Sequence, residues 1–203
     1  IVLSHGHYDH TGGLEAALAA APRAELCLHP DALRPRFSHP PGLPMRHLGM
    51  ARASRACIES RRPNAHVFAN PQLLAPGVRL TGTIPRPHAV EHPQQMFTLD
   101  EEGLEPDPFH DDQALVLETP QGNVVLTGCC HAGVANTLLQ AEQLTGDPRC
   151  ALLAGGLHLV RSDLDQLDRV LETLDRAQVR EVLAGHCTGN EAENLMGNRT
   201  RQG

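Results

Sequence analysis

The first residues of the chain carry four side chains that can bind a metal ion within six positions. The segment reads His5-Gly6-His7-Tyr8-Asp9-His10 and is followed by Thr11-Gly12-Gly13. Alternate residues of an extended chain point the same way, so the rings of His5 and His7 can reach one ligand. Neutral imidazoles suit zinc, iron or manganese, and Asp9 would add a charged oxygen donor. The spacing therefore predicts a metal site, not a chance cluster among the chain's 13 histidines.

Predicted elements on both sides of this segment would hold it in place. The apolar run at 1–3 is typical of the end of a buried strand, and Gly12-Gly13 lets the chain bend into a helix predicted at 14–21. Asp9 and His10 are expected in the turn between the two. Three more histidines follow predicted strands: His131 after 123–127, His158 after 150–154 and His186 after 181–184. Ligands at strand ends are what a metal cleft in a two-sheet protein requires.

The rest of the chain alternates predicted strands and helices, which indicates an α/β protein. Further strands are expected at 25–28, 66–69, 78–84 and 114–118, and further helices at 50–59, 134–144, 163–177 and 190–196. Ser162 is a suitable N-cap for the helix at 163–177. Residues 30–63 are rich in Pro and Arg, which predicts a long excursion with short helices that is either functional or simply solvated.

Composition narrows the class of protein and of partner. A chain of 203 residues with 40% hydrophobic residues is expected to form one domain with its own core. The formal charge of −7 argues against a nucleic-acid partner, and no apolar stretch predicts a membrane span or a signal peptide. The expected partner is a small-molecule substrate, with the oligomeric state left open.

The six cysteines lack the spacing of a disulfide framework or of a Cys-x-x-Cys pair. They are predicted to be reduced thiols, which is typical of a cytoplasmic protein. Cys129, Cys130 and Cys187 lie beside candidate ligands, so a role for a thiol at the site stays open.

Five motifs in order along the chain resemble those of the metallo-β-lactamase superfamily. They occupy 4–14, 81–86, 127–137, 155–159 and 185–189. The first identifies only the superfamily. The other four resemble one branch of it, the metal-dependent hydrolases that are similar to dihydropterin–ribofuranosylaminobenzene-phosphate synthase.

The resemblance implies an αββα sandwich, a four-layer α/β fold. Residues 1–203 would be one such domain, lacking the strands that precede the first motif in this fold. The excursion at about 30–65 would be an insertion over the mouth of the active site, and a lid is weighed equally against a solvated, Arg-rich loop.

The resemblance also implies two divalent transition-metal ions, with zinc preferred and manganese or iron as alternatives. His5, His7 and His131 would hold one ion, and Asp9, His10 and His186 would hold the other. Asp9 would in addition accept a proton from the water that the ions activate. His158 stands where many members have a bridging aspartate. It is a ligand, a hydrogen-bond donor to substrate, or neither.

Other residues are candidates for binding the substrate or supporting the ligands. Arg86 suits a phosphate or carboxylate, although a structural salt bridge is an equal alternative. Gly133 and the Thr188-Gly189 turn precede predicted helices, whose N-termini favour anions. Asp111 and Asp112 mark either a solvated turn or a carboxylate that reaches the metal or a ligating histidine.

Three functions are compatible with these residues. The preferred one is a metal-dependent hydrolase that uses a metal-bound water on a small anionic substrate. The second is dihydropterin-methyl transfer, in which an aromatic amine phosphate attacks a pterin-methyl diphosphate and diphosphate leaves. The scarcity of aromatic residues, 2% of the chain, disfavours it. The third is a binding protein that keeps a metal but has no activity, and the complete set of ligands argues against it.

Overall fold

The structure is a computed structural model that describes residues 1–61, 64–90 and 96–200. The described residues form six α-helices, α1 to α6, which are in chain order Tyr8–Thr11, Leu14–Ala20, Arg52–Ser60, Val134–Thr145, Leu164–Arg176 and Asn190–Thr200. A 3-10 helix covers Pro30–Leu33. The eleven strands of the described residues, β1 to β11, are Leu26–Leu28, Phe37–Ser38, Arg46–His47, Ala65–Val67, Gln72–Ala75, Val78–Leu80, Phe97–Thr98, Leu115–Thr119, Gly122–Leu126, Cys150–Gly156 and Val182–Gly185.

The chain divides into two compact units. Unit 1 consists of Ile1–Ala69 and Gln94–Asp111, and unit 2 consists of Asn70–Pro93 and Asp112–Gly203. Both are mixed α/β in content, as the alternation of predicted elements indicated.

Unit 1 contains two small sheets. Strands β1 and β4 pair in parallel, and Val2 extends this sheet through a parallel bridge to Cys27. Strand β2 pairs antiparallel with β3 on one side and β7 on the other. The core of the unit contains aliphatic residues of β1, α2, α3 and the segments before α1 and α3: Leu3, Leu14, Leu18, Leu26, Leu28, Met50 and Ile58. This core fixes the chain on both sides of the His5–His10 segment.

Unit 2 contains a six-stranded sheet in the order β11-β10-β9-β8-β6-β5. Strands β9, β10 and β11 are parallel neighbours, whereas the pairs β9–β8, β8–β6 and β6–β5 are antiparallel. The helix α5 buries Leu167, Val170, Leu171 and Leu174, a spacing that places one apolar stripe in the core with Val116 and Val125 of the sheet. The parallel arrangement of three strands is what positions the residues that follow them.

The helix α6 ends at Thr200, four residues beyond the helix predicted at 190–196. Most other predicted elements lie within one or two residues of their observed bounds, with four differences. Asp9 and His10 lie in the helical turn α1, not in an irregular turn. The strand predicted at 78–84 ends at Leu80, because Gly82 adopts a left-handed φ of 62°. Strand β5, which pairs antiparallel with β6, was not predicted.

The fourth difference concerns the start of α5, whose N-cap is Asp163 and not Ser162. The backbone N–H of Gln166 donates to the Asp163 carboxylate at 2.8 Å, and the Gln166 side chain accepts from the Asp163 N–H at 2.8 Å. This reciprocal capping box satisfies two N–H groups at once, which is why the helix begins one residue later than Ser162 would allow.

The segment predicted as an insertion is described except for residues 62 and 63. It contains the 3-10 helix, β2, β3 and α3, the last within two residues of its predicted bounds. No helix in the described ranges combines the length and apolar character that a membrane crossing needs.

Candidate metal-binding residues in each unit

The two histidines of the first motif lie together in unit 1. Leu3 donates to the Cys27 carbonyl at 2.9 Å, and His7 forms an antiparallel bridge with Gly49, so the chain between them is extended. His5 Nε2 and His7 Nδ1 are 3.1 Å apart, and the two residues are 0% and 6% exposed. Two buried ring nitrogens that converge in this way are a donor set that fits zinc, iron or manganese.

Asp9 and His10 complete this cluster through α1. The ring centroid of His10 is 4.2 Å from that of His5, and Asp9 Oδ2 is 3.6 Å from His10 Nε2. The Asp9 side chain is 39% exposed, so its carboxylate stays in contact with solvent. The structure therefore brings together all four candidate ligands of the first motif.

A buried ionic network holds the backbone between His5 and His7. The N–H of Gly6 donates to Asp111 Oδ2 at 2.7 Å. Arg36 donates from Nη2 to Asp111 Oδ1 at 2.5 Å and from Nε to Asp107 Oδ2 at 2.7 Å, and its side chain is 1% exposed. Burial raises the pKa of Asp111 to about 6, against the opposing effect of the Arg36 charge.

This network decides two alternatives that the sequence left open. Asp111 is fully buried and Asp112 is 2% exposed, so the interpretation of the pair as a solvated turn is wrong. Arg36 is buried as well, which contradicts a fully solvated Arg-rich loop. Arg36 and Asp107 were missed as supports of the motif, because they lie far from it in sequence and no local pattern marks them.

Three donors of unit 2 come from the ends of its parallel strands. Cys129 follows β9, His158 follows β10 and Cys187 follows β11. Each offers a ligand atom, and these atoms all lie within 4.8 Å of one another. The carboxyl ends of neighbouring parallel strands meet at the same edge of a sheet, which explains why residues so distant in sequence converge.

The predicted ligand His131 lies beside this cluster. Its ring is buried, and its centroid is 4.3 Å from that of His158. The backbone N–H of the next residue, Ala132, donates to Asp112 Oδ2 at 2.8 Å. Asp112 thus supports the loop of His131 in unit 2, as Asp111 supports the loop of His5 and His7 in unit 1. His186 follows β11 directly and is exposed.

The thiols of unit 2 differ sharply in acidity. A hydrogen bond from Cys129 lowers the pKa of Cys187 to about 4, with His158 adding to the effect against the penalty of burial. Burial raises the pKa of Cys150, which lies in the core at the start of β10, to about 11. All six cysteines are free thiols.

Backbone strain is concentrated at the same strand ends. Cys130, His158 and His186 have φ values of 62°, 52° and 56°, in the left-handed region that residues with a side chain rarely occupy. Such conformations cost of order 1–3 kcal/mol each and persist only where surrounding contacts impose them.

The predicted substrate-binding residues all lie in unit 2. Arg86 is half-buried, and Gly133, with a φ of 90°, is the N-cap of α4. The Thr188 hydroxyl accepts from the Leu157 N–H at 3.1 Å and donates to the Gly185 carbonyl at 2.8 Å. Thr188 therefore ties two loops together, next to Gly189 with its φ of 88°. Their contact with a substrate stays a prediction.

Comparisons with known proteins agree on one family. The family model of the metallo-beta-lactamase superfamily matches residues 1–186. The chain is 24% identical over 201 residues to the 7,8-dihydropterin-6-methyl-4-(beta-D-ribofuranosyl)-aminobenzene-5'-phosphate synthase of Methanocaldococcus jannaschii, covering 97% of this chain and 68% of that protein. An uncharacterized protein of the same organism is 25% identical over 193 residues, covering 95% of this chain and 70% of its own length.

A solved structure is similar over the whole chain. It is a metal-dependent hydrolase of the beta-lactamase superfamily, matched with a TM-score of 0.78 and 26% identity over 100% of this chain and 73% of that one. The superfamily that the motifs indicated is confirmed by the family model, and one of the relatives carries the name of the synthase after which the expected branch is called.

Proposed function

Because the chain belongs to the metallo-beta-lactamase superfamily and has its hydrolase-like fold, we propose that it is a metal-dependent hydrolase of small anionic molecules. The observation that carries the proposal is the buried convergence of His5 and His7, with Asp9 and His10 beside them. This chemistry needs imidazole donors in a rigid loop, and the bond between Gly6 and Asp111 supplies that rigidity.

The proposed ligands are those of the superfamily motifs: His5, His7, Asp9 and His10 in unit 1, and His131 and His186 in unit 2. The donors are nitrogen and carboxylate oxygen, which favours zinc, with manganese or iron as alternatives. Bound ions would polarise the group to be cleaved and make water a stronger nucleophile near neutral pH.

The chain's own residues have distinct tasks in this proposal. The exposed Asp9 carboxylate accepts the proton of the attacking water and can pass it to solvent. A ring N–H of His158 donates a hydrogen bond to the substrate. Arg86 binds the phosphate or carboxylate of the substrate through two parallel hydrogen bonds.

Elemental analysis of the purified protein tests the metal. We expect two transition-metal ions per chain, and fewer in His7→Ala and His131→Ala, whereas His47→Ala, which changes an exposed histidine of unit 1, should keep the full content. A folded wild-type protein that binds no ion after addition of zinc or manganese would contradict the proposal.

A substrate panel tests the reaction. Phosphomonoesters, phosphodiesters and lactones are incubated with the zinc, manganese or iron form, and hydrolysis is followed with Asp9→Ala and Arg86→Ala beside the wild type. We expect a phosphate compound to be hydrolysed, Asp9→Ala to abolish turnover and Arg86→Ala to raise KM. A preference for neutral lactones that ignores Arg86→Ala would show that Arg86 is structural.

The name of the curated relative favours a second candidate, dihydropterin-methyl transfer to an aromatic amine phosphate. Two aromatic rings do lie beside the ligands. The ring centroids of His7 and Phe109 are 5.8 Å apart, and those of Phe109 and Phe97 are 5.4 Å apart. The same panel therefore includes a pterin-methyl diphosphate with an aminobenzoate-type acceptor. Coupling of the two without hydrolysis of any ester would promote this candidate over the first.

A further inference from the structure

We propose that Asn136 is a positioning residue, which acts through Arg86 and holds it at a fixed place beside the segment that carries His131. The inference rests on the proposed function in one respect, the role of Arg86 in binding the anionic group of the substrate. Asn136 lies in the first turn of α4 and is 1% exposed. A buried amide is costly unless its polar atoms are paired, so its hydrogen bonds show what it holds.

The sheet of unit 2 brings the two segments to one edge. Strand β6 ends beside the start of β8, and the start of β8 lies beside the end of β9. The segment 81–88 therefore leaves the sheet at the same edge as the segment 127–133. The first carries Arg86 and the second carries His131. A shared edge does not fix where side chains lie, so further contacts must hold the two segments together.

The side-chain amide of Asn136 joins the two segments. Its Nδ2 donates to the carbonyl oxygen of Ala132 at 2.7 Å and to that of His88 at 3.0 Å. Its Oδ1 accepts from the backbone N–H of His88 at 3.0 Å. Ala132 is itself held on its other side, since its N–H donates to Asp112 Oδ2 at 2.8 Å. One buried amide thus pairs with both backbone groups of His88 and with the residue next to His131.

Arg86 has little backbone freedom between two anchored neighbours. Ile84 is buried in the core of unit 2, and His88 is held by Asn136. A proline flanks Arg86 on each side, and each proline fixes its own φ and restricts the residue before it to extended conformations. A stiff segment that is held at both ends loses little entropy when Arg86 binds an anion, and this preorganisation favours binding.

Titration calorimetry with inorganic phosphate measures the contribution of Asn136. The zinc-treated full chain is compared with Arg86→Ala, Asn136→Ala and the double variant. We expect Arg86→Ala to raise the Kd roughly tenfold, because charge-assisted hydrogen bonds are lost, and Asn136→Ala to raise it about three- to tenfold. In the double variant, Asn136→Ala should add less than about twofold to the effect of Arg86→Ala, because Asn136 then has no arginine to position.

Asn123→Ala is the matched control for the loss of a buried amide. Asn123 is 3% exposed and lies at the start of β9, and its Nδ2 donates to Thr145 Oγ1 at 2.9 Å and to the Asp147 carbonyl at 2.8 Å. Its removal should lower the free energy of unfolding, as the removal of Asn136 does, but leave the Kd for phosphate unchanged. Equal increases of the Kd in Asn123→Ala and Asn136→Ala would overturn the positioning role.

The double variant separates this inference from the proposed function. If Arg86→Ala weakens phosphate binding and Asn136→Ala weakens it further by its full factor, Asn136 does not act through Arg86 and only the positioning role fails. Phosphate binding that is absent from the wild type, or unaffected by Arg86→Ala, would overturn both the positioning role and the anion-binding role of Arg86. None of these measurements requires turnover.

Hydrogen exchange of the wild type needs no variant and covers the case in which Asn136→Ala fails to fold. The side chain of His88 is exposed, but its backbone N–H donates to a buried oxygen. Its amide should therefore exchange at least about tenfold more slowly in the folded protein than in the urea-unfolded chain, as resolved by nuclear magnetic resonance. An unprotected His88 amide would mean that Asn136 does not hold the segment in solution, and the inference would fall.

Discussion

In unit 1 the candidate ligands come from one short segment, whereas in unit 2 they come from the ends of three parallel strands. The first set contains imidazoles and a carboxylate, and the second contains two thiols beside imidazoles. Cys129 and Cys187 at the sheet edge of unit 2 thus offer sulfur donors, which are softer than the nitrogen and oxygen donors of unit 1. The difference shows that a local motif and a sheet topology can each assemble a ligand set.

The two sets are also held by different forces. In unit 1, a buried arginine and two buried aspartates fix the loop between His5 and His7. In unit 2, strained backbone and close backbone contacts around Gly156 do this work, together with one hydrogen bond from Ala132 to Asp112. Variants that remove each kind of contact should therefore lower the free energy of unfolding by different amounts.

The largest effect is expected from Arg36→Met. The change leaves Asp107 and Asp111 buried without a cation, and breaking a buried ion pair costs about 3–5 kcal/mol. Denaturant unfolding monitored by circular dichroism measures the free energy of unfolding. Arg34→Met is the matched control, because its partner Glu105 is 58% exposed and such a surface pair contributes at most about 1 kcal/mol. Equal losses in the two variants would mean that the network does not stabilise unit 1.

Smaller losses are expected from added methyl groups at the two crowded glycines. In Gly6→Ala the new Cβ would lie 2.1 Å from the Ala32 carbonyl oxygen, and in Gly156→Ala it would lie 2.4 Å from that of Gly128. Backbone atoms cannot rotate away, so each should cost about 1–3 kcal/mol, the usual range for overpacking. Gly13→Ala and Gly185→Ala have open space around the new carbon and should cost less in the same unfolding measurement.

Some strands of the two units could be predicted from the sequence, and others could not. The strands β8, β9 and β10 were predicted to within two residues, because apolar runs mark them locally. The two-residue strands β2, β3 and β7 are too short to show any period. Their pairing depends on contacts between distant residues, which a single sequence does not display.

The candidate ligands follow the same division. His5, His7, Asp9 and His10 could be predicted as one cluster, because their spacing is local. The Arg36 network joins residues 71 and 75 positions apart, and an Arg-rich stretch gave no sign that one arginine would be buried. The pairing of Cys129 with Cys187 was within reach, since both follow predicted strands, but it required knowing that those strands are parallel neighbours.

A loss of metal affinity in addition to a loss of stability is expected from Asp111→Ala, which breaks one of the two buried ion pairs of Arg36 and leaves its pair with Asp107. The Gly6 N–H loses its acceptor, and removal of a residue that orients ligands typically lowers metal affinity about 10–100-fold. Asp111→Asn should recover part of the loss, because its amide oxygen can still accept from Gly6. Competition for zinc with a chromophoric chelator measures the affinity.

The control for this effect is Asp100→Ala in the same unit. Asp100 also accepts backbone N–H groups, but they belong to Leu104 and Glu105 in its own turn and not to the ligand loop. A comparable fall in zinc affinity in Asp100→Ala, or no recovery in Asp111→Asn, would show that the effect is general loosening of unit 1.

The smallest perturbation is a change of pH. It tests whether the thiols of unit 2 differ in pKa as their surroundings predict. The thiolate is the reactive form, and the pKa of Cys187 lies at about 4 whereas that of Cys150 lies at about 11. In metal-free protein, alkylation of Cys187 should thus be nearly constant between about pH 6 and 8, where an ordinary thiol gains roughly tenfold per pH unit. Cys150 should stay unlabelled throughout, and the urea-unfolded chain should show the ordinary slope at both positions. If the alkylation rate of Cys187 in the folded protein rose tenfold per pH unit, Cys129 and His158 would not stabilise its thiolate. The donors of unit 2 would then differ less from those of unit 1 in their chemistry.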